Sequence, residues 1–315
     1  MQSLAAAVDG WDPAPVTVTA RLDDEPMQAF AALLDQPSPV GAGADPLPLG
    51  WHWFFFLDRP ASSALGPDGH PVEGHFLPPV PDRRRMFAGG RLKVFAPLNV
   101  GDLITRTTSL AAVEPKQGRS GEMLFVTLRS EFRRDGELLL VEEQDVVYRS
   151  EPAGRTAHPL PALPPADRMF LPPAAEDEIS ADLVPDTRML FRFSALTYNA
   201  HRIHYDQPYA TGVEGYPGLV VHGPLLALLL LEVPRRHLPG RRVASFSYRL
   251  TRPAFADVPI RATGRADGAE VRLRAAAGTA APSISGTAVL DPVTKGAGEA
   301  VRKTHGASDL RHLGK

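Results

Sequence analysis

The chain has 315 residues, 43 % of them apolar, enough for one large or two ordinary buried cores. Its 34 basic and 36 acidic residues leave a net charge of -2, which gives no broad electrostatic reason to expect nucleic acid or an anionic membrane as partner; small anions held by local arginines remain compatible with it. Cysteine is absent, which excludes disulfides, thiolate metal sites and a cysteine nucleophile and makes a cytoplasmic setting the default expectation.

In chain order, the N-terminus MQSLAAAVDGWDPAP has neither the basic and apolar regions of a signal peptide nor the Arg-rich, acid-poor pattern of a transit peptide. The block WHWFFFLD, Trp51 to Asp58, reads as core rather than as an aromatic binding platform. From Gly89 to Leu110 an alternating strand, Pro97, a turn at Gly101-Asp102 and a second strand follow one another, and two more strands flank Asp135-Gly136, a hairpin dipeptide. The prolines at 152, 159, 161, 164, 165, 172 and 173 favour extended backbone and suggest a linker. Beyond it the layout recurs: Ala244 to Arg265 has a strand, Pro253 in the place of Pro97, and another strand, then two strands around Gly278 to Pro282. Each half therefore ends in an antiparallel meander.

Ahead of the second meander lies LVVHGPLLALLLLEVPRRHL. Gly223-Pro224 suits a helix start, since proline's missing N–H is one the first turn leaves unpaired anyway. Pro234 is expected to end or kink the helix near Val233, with Arg235, Arg236 and His237 by the negative end of its dipole. Its apolar stretch, bounded by His222 and Glu232, is well short of the ~20 residues that span a bilayer, so no membrane is implied. Apolar on every side, it calls for sheet around it. A helix gripped by a curved antiparallel sheet is the hotdog arrangement, and two copies give an α+β double hotdog. The expected boundaries are 1–151 for a non-catalytic hotdog with a degenerate helix, 152–178 for the linker, 179–295 for a catalytic hotdog and 296–315 for a flexible tail.

Just before that helix, SALTYNAHRIHYDQPYATGVEGYPGLVVHGPL resembles the signature of MaoC-like (R)-specific enoyl-CoA hydratases and dehydratases: an acidic residue, a histidine five positions on, and a His-Gly opening the hotdog helix. Asn199, His204 and His222-Gly223 occupy these positions. RRRMFAGGRLKVFAPLNVGD, GRSGEMLFVTLRSEF and EEQDVVYR resemble the N-terminal hotdog of two-domain members, and the whole is most similar to the branch of mesaconyl-C4-CoA hydratases and type 2 hydroxyacyl-thioester dehydratases.

The resemblance implies reversible addition of water across a 2-enoyl-CoA double bond, on a short, branched or carboxylated substrate, with no cofactor beyond the coenzyme A of the substrate itself. A homodimer is expected. It assigns His204 as base, since a neutral imidazole takes a proton from water near neutral pH, Gly223 as a helix-start N–H for the thioester oxygen, and Asn199 as a water-orienting group. Asn199 departs from the aspartate usual at this position, and its carboxamide exchanges no proton near neutral pH, so His204 acts alone or His201, Tyr198 or Asp206 takes part. Arg202 suits a clamp on a substrate carboxylate, and His222 either lines the pocket or braces the loop. Arg83, Arg84, Arg85, Arg235 and Arg236 are the candidates for the phosphates of coenzyme A, although such runs usually face solvent.

Four rival readings remain. His201, His204, His222 and Asp206 could ligate zinc, but a spacing of three in extended chain sends His201 and His204 to opposite faces, so no metal is expected. A hotdog thioesterase or a non-catalytic acyl-thioester-binding protein would share the fold, and an (R)-3-hydroxyacyl-thioester dehydratase of fatty-acid metabolism would share the chemistry as well.

Overall fold

The computed structural model describes residues 3–38, 46–80, 83–118, 121–150, 163, 171 and 173–292; most of the proline-rich linker and the whole 296–315 tail lie outside them. Ten strands form one antiparallel sheet: β1 (Val16–Arg21), β2 (Arg83–Val94), β3 (Leu103–Gly118), β4 (Gly121–Arg134), β5 (Glu137–Ser150), β6 (Ile179–Leu183), β7 (Val243–Leu250), β8 (Ile260–Asp267), β9 (Glu270–Ala277) and β10 (Ile284–Leu290). Their order, β1-β3-β4-β5-β2-β7-β10-β9-β8-β6, reads the same from either edge once strands of the two halves are matched. The repeat legible around Pro97 and Pro253 is thus a pseudo-twofold double hotdog, and the halves meet where β2 pairs with β7 between Gly89↔Arg249 and Lys93↔Ser245.

Local chemistry sets the turns and helices. Asp135 and Gly136, both at positive φ (49° and 86°), close the β4–β5 hairpin as an Asp-Gly pair should. Five helices precede or cross the strands: α1 (Leu4–Ala7), α2 (Glu25–Leu33), α3 (Thr187–Leu196), α4 (Gln207–Gly212) and α5 (Gly223–His237). In α5 every residue from Leu225 to Pro234 is buried, and the helix packs on β6, β7, β8, β9 and β10, so its uniform apolarity is matched by a surrounding sheet. Contrary to the expected stop near Val233, α5 continues through Pro234 to His237. Proline removes a single hydrogen bond there, and Glu232, 1 % exposed, accepts from both Arg235 and Arg236 and ties down the last turn. That engagement also takes Arg235 and Arg236 away from the phosphate role considered for them.

In the first half, WHWF is a single 3-10 turn (Trp51–Phe54) rather than a long helix. It is core, as expected, but not wholly apolar: buried Glu142 accepts from His52 (2.9 Å), Trp53 (2.8 Å) and Gln144 (2.7 Å). Burial works against this carboxylate, yet the His52 contact and the other hydrogen bonds hold it below the usual range. Phe30 of α2 joins Trp51 edge to face at 4.9 Å and reaches Phe193 of α3 at 6.2 Å, linking the halves beneath the sheet. No described helix is long and apolar enough to cross a membrane.

At the β2–β7 seam the chain passes too close for side chains. A Cβ on Gly90 would stand 2.7 Å from the Glu143 carbonyl and 2.9 Å from the Tyr248 hydroxyl. Gly90→Val is therefore expected to cost at least about 1–3 kcal/mol of stability by overpacking, measured as a lowered thermal midpoint, whereas Gly212→Ala, at the end of α4 with nothing within 4 Å of its Cβ and no positive φ, serves as a control that leaves the seam untouched.

Candidate active site

The loop after α3 is built by a helix end. Tyr198 takes positive φ (51°), and the N–H of Asn199 bonds back to the carbonyl of Ser194 at 2.8 Å, the closing contact of a Schellman motif. Asn199 then turns the chain again, its Oδ1 accepting the N–H of His201 at 3.0 Å. A 3-10 turn (Arg202–His204) follows. In this turn, unlike the extended chain considered above, His201 and His204 stay together, ring centroids 5.3 Å apart and edge to face.

His204 is fixed by Val220 from two directions: the Val220 N–H bonds to the carbonyl of Ile203 at 2.9 Å, and His204 Nδ1 meets the Val220 carbonyl at 2.7 Å. A carbonyl only accepts, so Nδ1 carries the hydrogen and Nε2 keeps its lone pair. Burial lowers the pKa of His204 to about 4, the carbonyl contact offsetting only part of the effect, so the ring stays neutral and basic at Nε2 through the physiological range. Against it lies His222 at 3.7 Å, stacked within 18°. His222 is the N-cap residue of α5 but its side chain caps nothing; its Nε2 meets the Ser194 hydroxyl at 2.9 Å and its Nδ1 is buried without a partner. Burial, then His204 and His201, push its pKa well down. Next in the chain, Gly223 opens α5, and its missing Cβ makes room for Leu250 (2.9 Å) and Phe87 (3.0 Å) of the two seam strands.

Other expected site residues have structural work. Arg202 places Nε (3.0 Å) and a terminal nitrogen (2.8 Å) on one Asp206 oxygen, gives another to the Pro67 carbonyl (2.8 Å) and lies 4.0 Å over the Tyr209 ring. Three of its five N–H donors are thus engaged inside the protein. Asp206 also caps α4 through Tyr209 N at 3.1 Å. Tyr198, 55 % exposed, serves the turn at the end of α3.

One segment of the first half was missed. Gly66-Pro67-Asp68-Gly69-His70 crosses the seam and docks on this loop: the Arg202 N–H bonds to the Asp68 carbonyl at 2.9 Å, and a Cβ on Gly69 would stand 1.8 Å from the Ala200 oxygen. His70 lies against His201, ring centroids 4.0 Å apart and tilted by 38°, and holds Asp68 through Nδ1 (2.9 Å) and its own N–H (2.9 Å). Burial pushes the Asp68 carboxyl up, yet these His70 contacts bring it down to about 2. His201 goes the other way, lowered to about 2 by burial and by the neighbouring His70 and His204. Asp68 and His70 also line a cleft of about 410 Å³ with Arg84, Arg85, Tyr209 and Glu214. Arg84 pairs with Glu214, while Arg85 forms no ion pair among the described residues. Donor atoms of Asp68, His70 and His201 lie within 4.8 Å of one another, but Asp68 and His70 bond directly to each other, a hydrogen-bonded pair rather than a set of ligands aimed at one ion. In sequence the only signal was a carboxylate two residues before a histidine in a Pro-Asp-Gly turn.

A sequence profile for hydroxyacyl-thioester dehydratase type 2 matches residues 50–256. The mesaconyl-C(4)-CoA hydratase of Chloroflexus aurantiacus is 47 % identical over 83 % of this chain and 90 % of its own length, and the mitochondrial hydroxyacyl-thioester dehydratase type 2 of Schizosaccharomyces pombe is 28 % identical over 79 % and 89 %. A MaoC-like dehydratase of Phytophthora capsici has the same fold, with a TM-score of 0.63 over 92 % of this chain and 99 % of its own at 15 % identity.

The buried histidines make stability depend on pH. A ring whose pKa falls from 6.5 unfolded to about 4 folded binds more protons when unfolded, so its contribution is complete above pH 6.5 and is lost as the pH falls from there to 4. The loss is on the order of 3 kcal/mol for His204 alone, and the same sign holds for His201 and His222. Denaturant midpoints are expected to drop between pH 7.5 and 5, and to drop less in His204→Gln.

Proposed function

The chain belongs to the hydroxyacyl-thioester dehydratase type 2 family and is a hydro-lyase acting on acyl-CoA; we propose that its substrate is a short carboxylated 2-enoyl-CoA of the mesaconyl-C4-CoA kind, hydrated reversibly. The observation that carries this reading is the His204 ring: buried, neutral and held by Val220 with a free Nε2, it is a base ready for a water molecule. The N–H of Gly223, first of a 15-residue helix, is the donor for the thioester oxygen as negative charge builds on it. Asn199 contributes amide donors to orient water or carbonyl. Kinship with the Chloroflexus hydratase favours the carboxylated substrate, and Arg85, unpaired beside the cleft, is the cation in reach of a second carboxylate. The expected cytoplasmic location and homodimeric state are part of the proposal; what supports them is that bacterial kinship and the pairing of two hotdog halves in one chain.

Crotonyl-CoA and mesaconyl-C4-CoA, each followed for enoyl absorbance and free thiol, test the reading. Loss of absorbance without thiol is expected, and His204→Ala should lower kcat by about 10²–10⁴-fold with an unchanged fold by circular dichroism. Arg85→Ala should raise KM for the carboxylated substrate far more than for crotonyl-CoA. Thiol release, or a His204→Ala enzyme as fast as wild type, would contradict the proposal.

A further inference from the structure

Adding water to an enoyl thioester requires one group to take a proton from water and another to deliver a proton to C2. His204 provides a single basic nitrogen. Asn199 cannot be the second group, because its oxygen is taken by the His201 N–H and its amide hydrogens do not exchange as an acid near neutral pH. His222 is engaged with Ser194 and buried at 1 % exposure. Asp206 and Arg202 are bonded to each other, and His201 is covered on one side by His70 and on the other by His204.

The remaining ring comes from the other half of the molecule. His70 has Nδ1 on Asp68, a face on His201 and an edge in the cleft, with a side chain 23 % exposed. A carboxylate on Nδ1 decides which nitrogen points outward, the same logic by which an aspartate orients a catalytic imidazole. Nε2 of His70 has no protein partner among the described residues. His201 acts as the spacer between His70 and His204.

We propose that His70, oriented by Asp68, is the second proton-transfer group of the hydration, so that the acid/base pair is assembled across the seam from one histidine of each half. In the hydration direction, His204 Nε2 takes a proton from water as the water oxygen bonds to C3, and the C2–C3 π pair moves into the thioester as an enolate. The His70 imidazolium then gives its Nε2 proton to C2, the enolate pair returning to form the C–H bond. One water is added and nothing is oxidised or reduced. The proton left on His204 passes to His70 through solvent in the cleft and restores the starting state. Asp68 is a positioning residue in this scheme, and Gly69 lets the segment lie against the Ala200 carbonyl.

This rests on the hydro-lyase reading, and the test separates the two. Purified full-length wild type, His70→Ala, His70→Gln and Asp68→Asn are assayed with crotonyl-CoA and mesaconyl-C4-CoA, with and without added imidazole, and the wild type again after EDTA. The expected result is a fall in kcat of about 10²-fold or more for His70→Ala with KM within about threefold, partial restoration by imidazole entering the open cleft, a smaller fall for Asp68→Asn that imidazole does not repair, and no effect of EDTA. The proposal is overturned by a His70→Ala enzyme that keeps wild-type kcat, by a loss that His70→Gln repairs and imidazole does not, or by inactivation with EDTA that zinc reverses, which would make the cluster a metal site. Failure of the wild type to hydrate either substrate would remove the hydro-lyase reading and this proposal with it; normal hydration with an indifferent His70 removes only the proposal.

Discussion

The pairing of β2 with β7 is the contact on which the rest of the molecule depends. It turns two five-stranded halves into one sheet, and it brings the segment at residues 66–70 of the first half over the loop at 199–204 of the second. The ladder runs through Gly89 and Gly90, where even a Cβ would collide with neighbouring backbone, so the closeness of the halves is written in the absence of two side chains. A site assembled across such a seam does not exist in either half alone. The half that lacks the Asn-x4-His unit still contributes the Asp68–His70 pair and the wall of the cleft.

A second constraint is electrostatic. Four imidazoles, His70, His201, His204 and His222, form a continuous column of ring contacts, and the three inner ones are desolvated. Each proton added to this column would face both burial and its neighbours, so the inner rings remain neutral to well below neutral pH. The Val220 carbonyl chooses the tautomer of His204 and the Ser194 hydroxyl anchors His222. What costs the fold stability in acid is therefore the same feature that leaves a lone pair at His204 Nε2.

Much of this was legible before any coordinates. The hairpin at Asp135-Gly136, the buried α5 opening at Gly223-Pro224 and the two meanders follow from local pattern, and the recurrence around Pro97 and Pro253 foretold the symmetric strand order. Asn199, His204 and His222-Gly223 were placed in one loop and helix start by the resemblance of their segment to a known signature. The errors have physical causes. Pro234 stays helical because Glu232 ties both following arginines and a proline near a helix end forfeits little. Arg202 and Asp206, expected at the substrate, are joined to each other as an i,i+4 pair that spacing alone did not bring out. His70 was invisible because nothing in periodicity or spacing joins residues more than a hundred positions apart; only the seam does, and the seam was hidden in two glycines of an otherwise ordinary strand.

The central claim is that His204 presents a free, basic Nε2 held in place from the other side of its ring. The most direct measurement is nitrogen NMR of the full chain labelled at the histidine ring nitrogens, with His204→Gln used to assign the signals. The account predicts that between pH 5 and 8 His204 is a neutral ring protonated at Nδ1 and bare at Nε2. A His204 found as imidazolium near neutral pH, or protonated at Nε2, would contradict it.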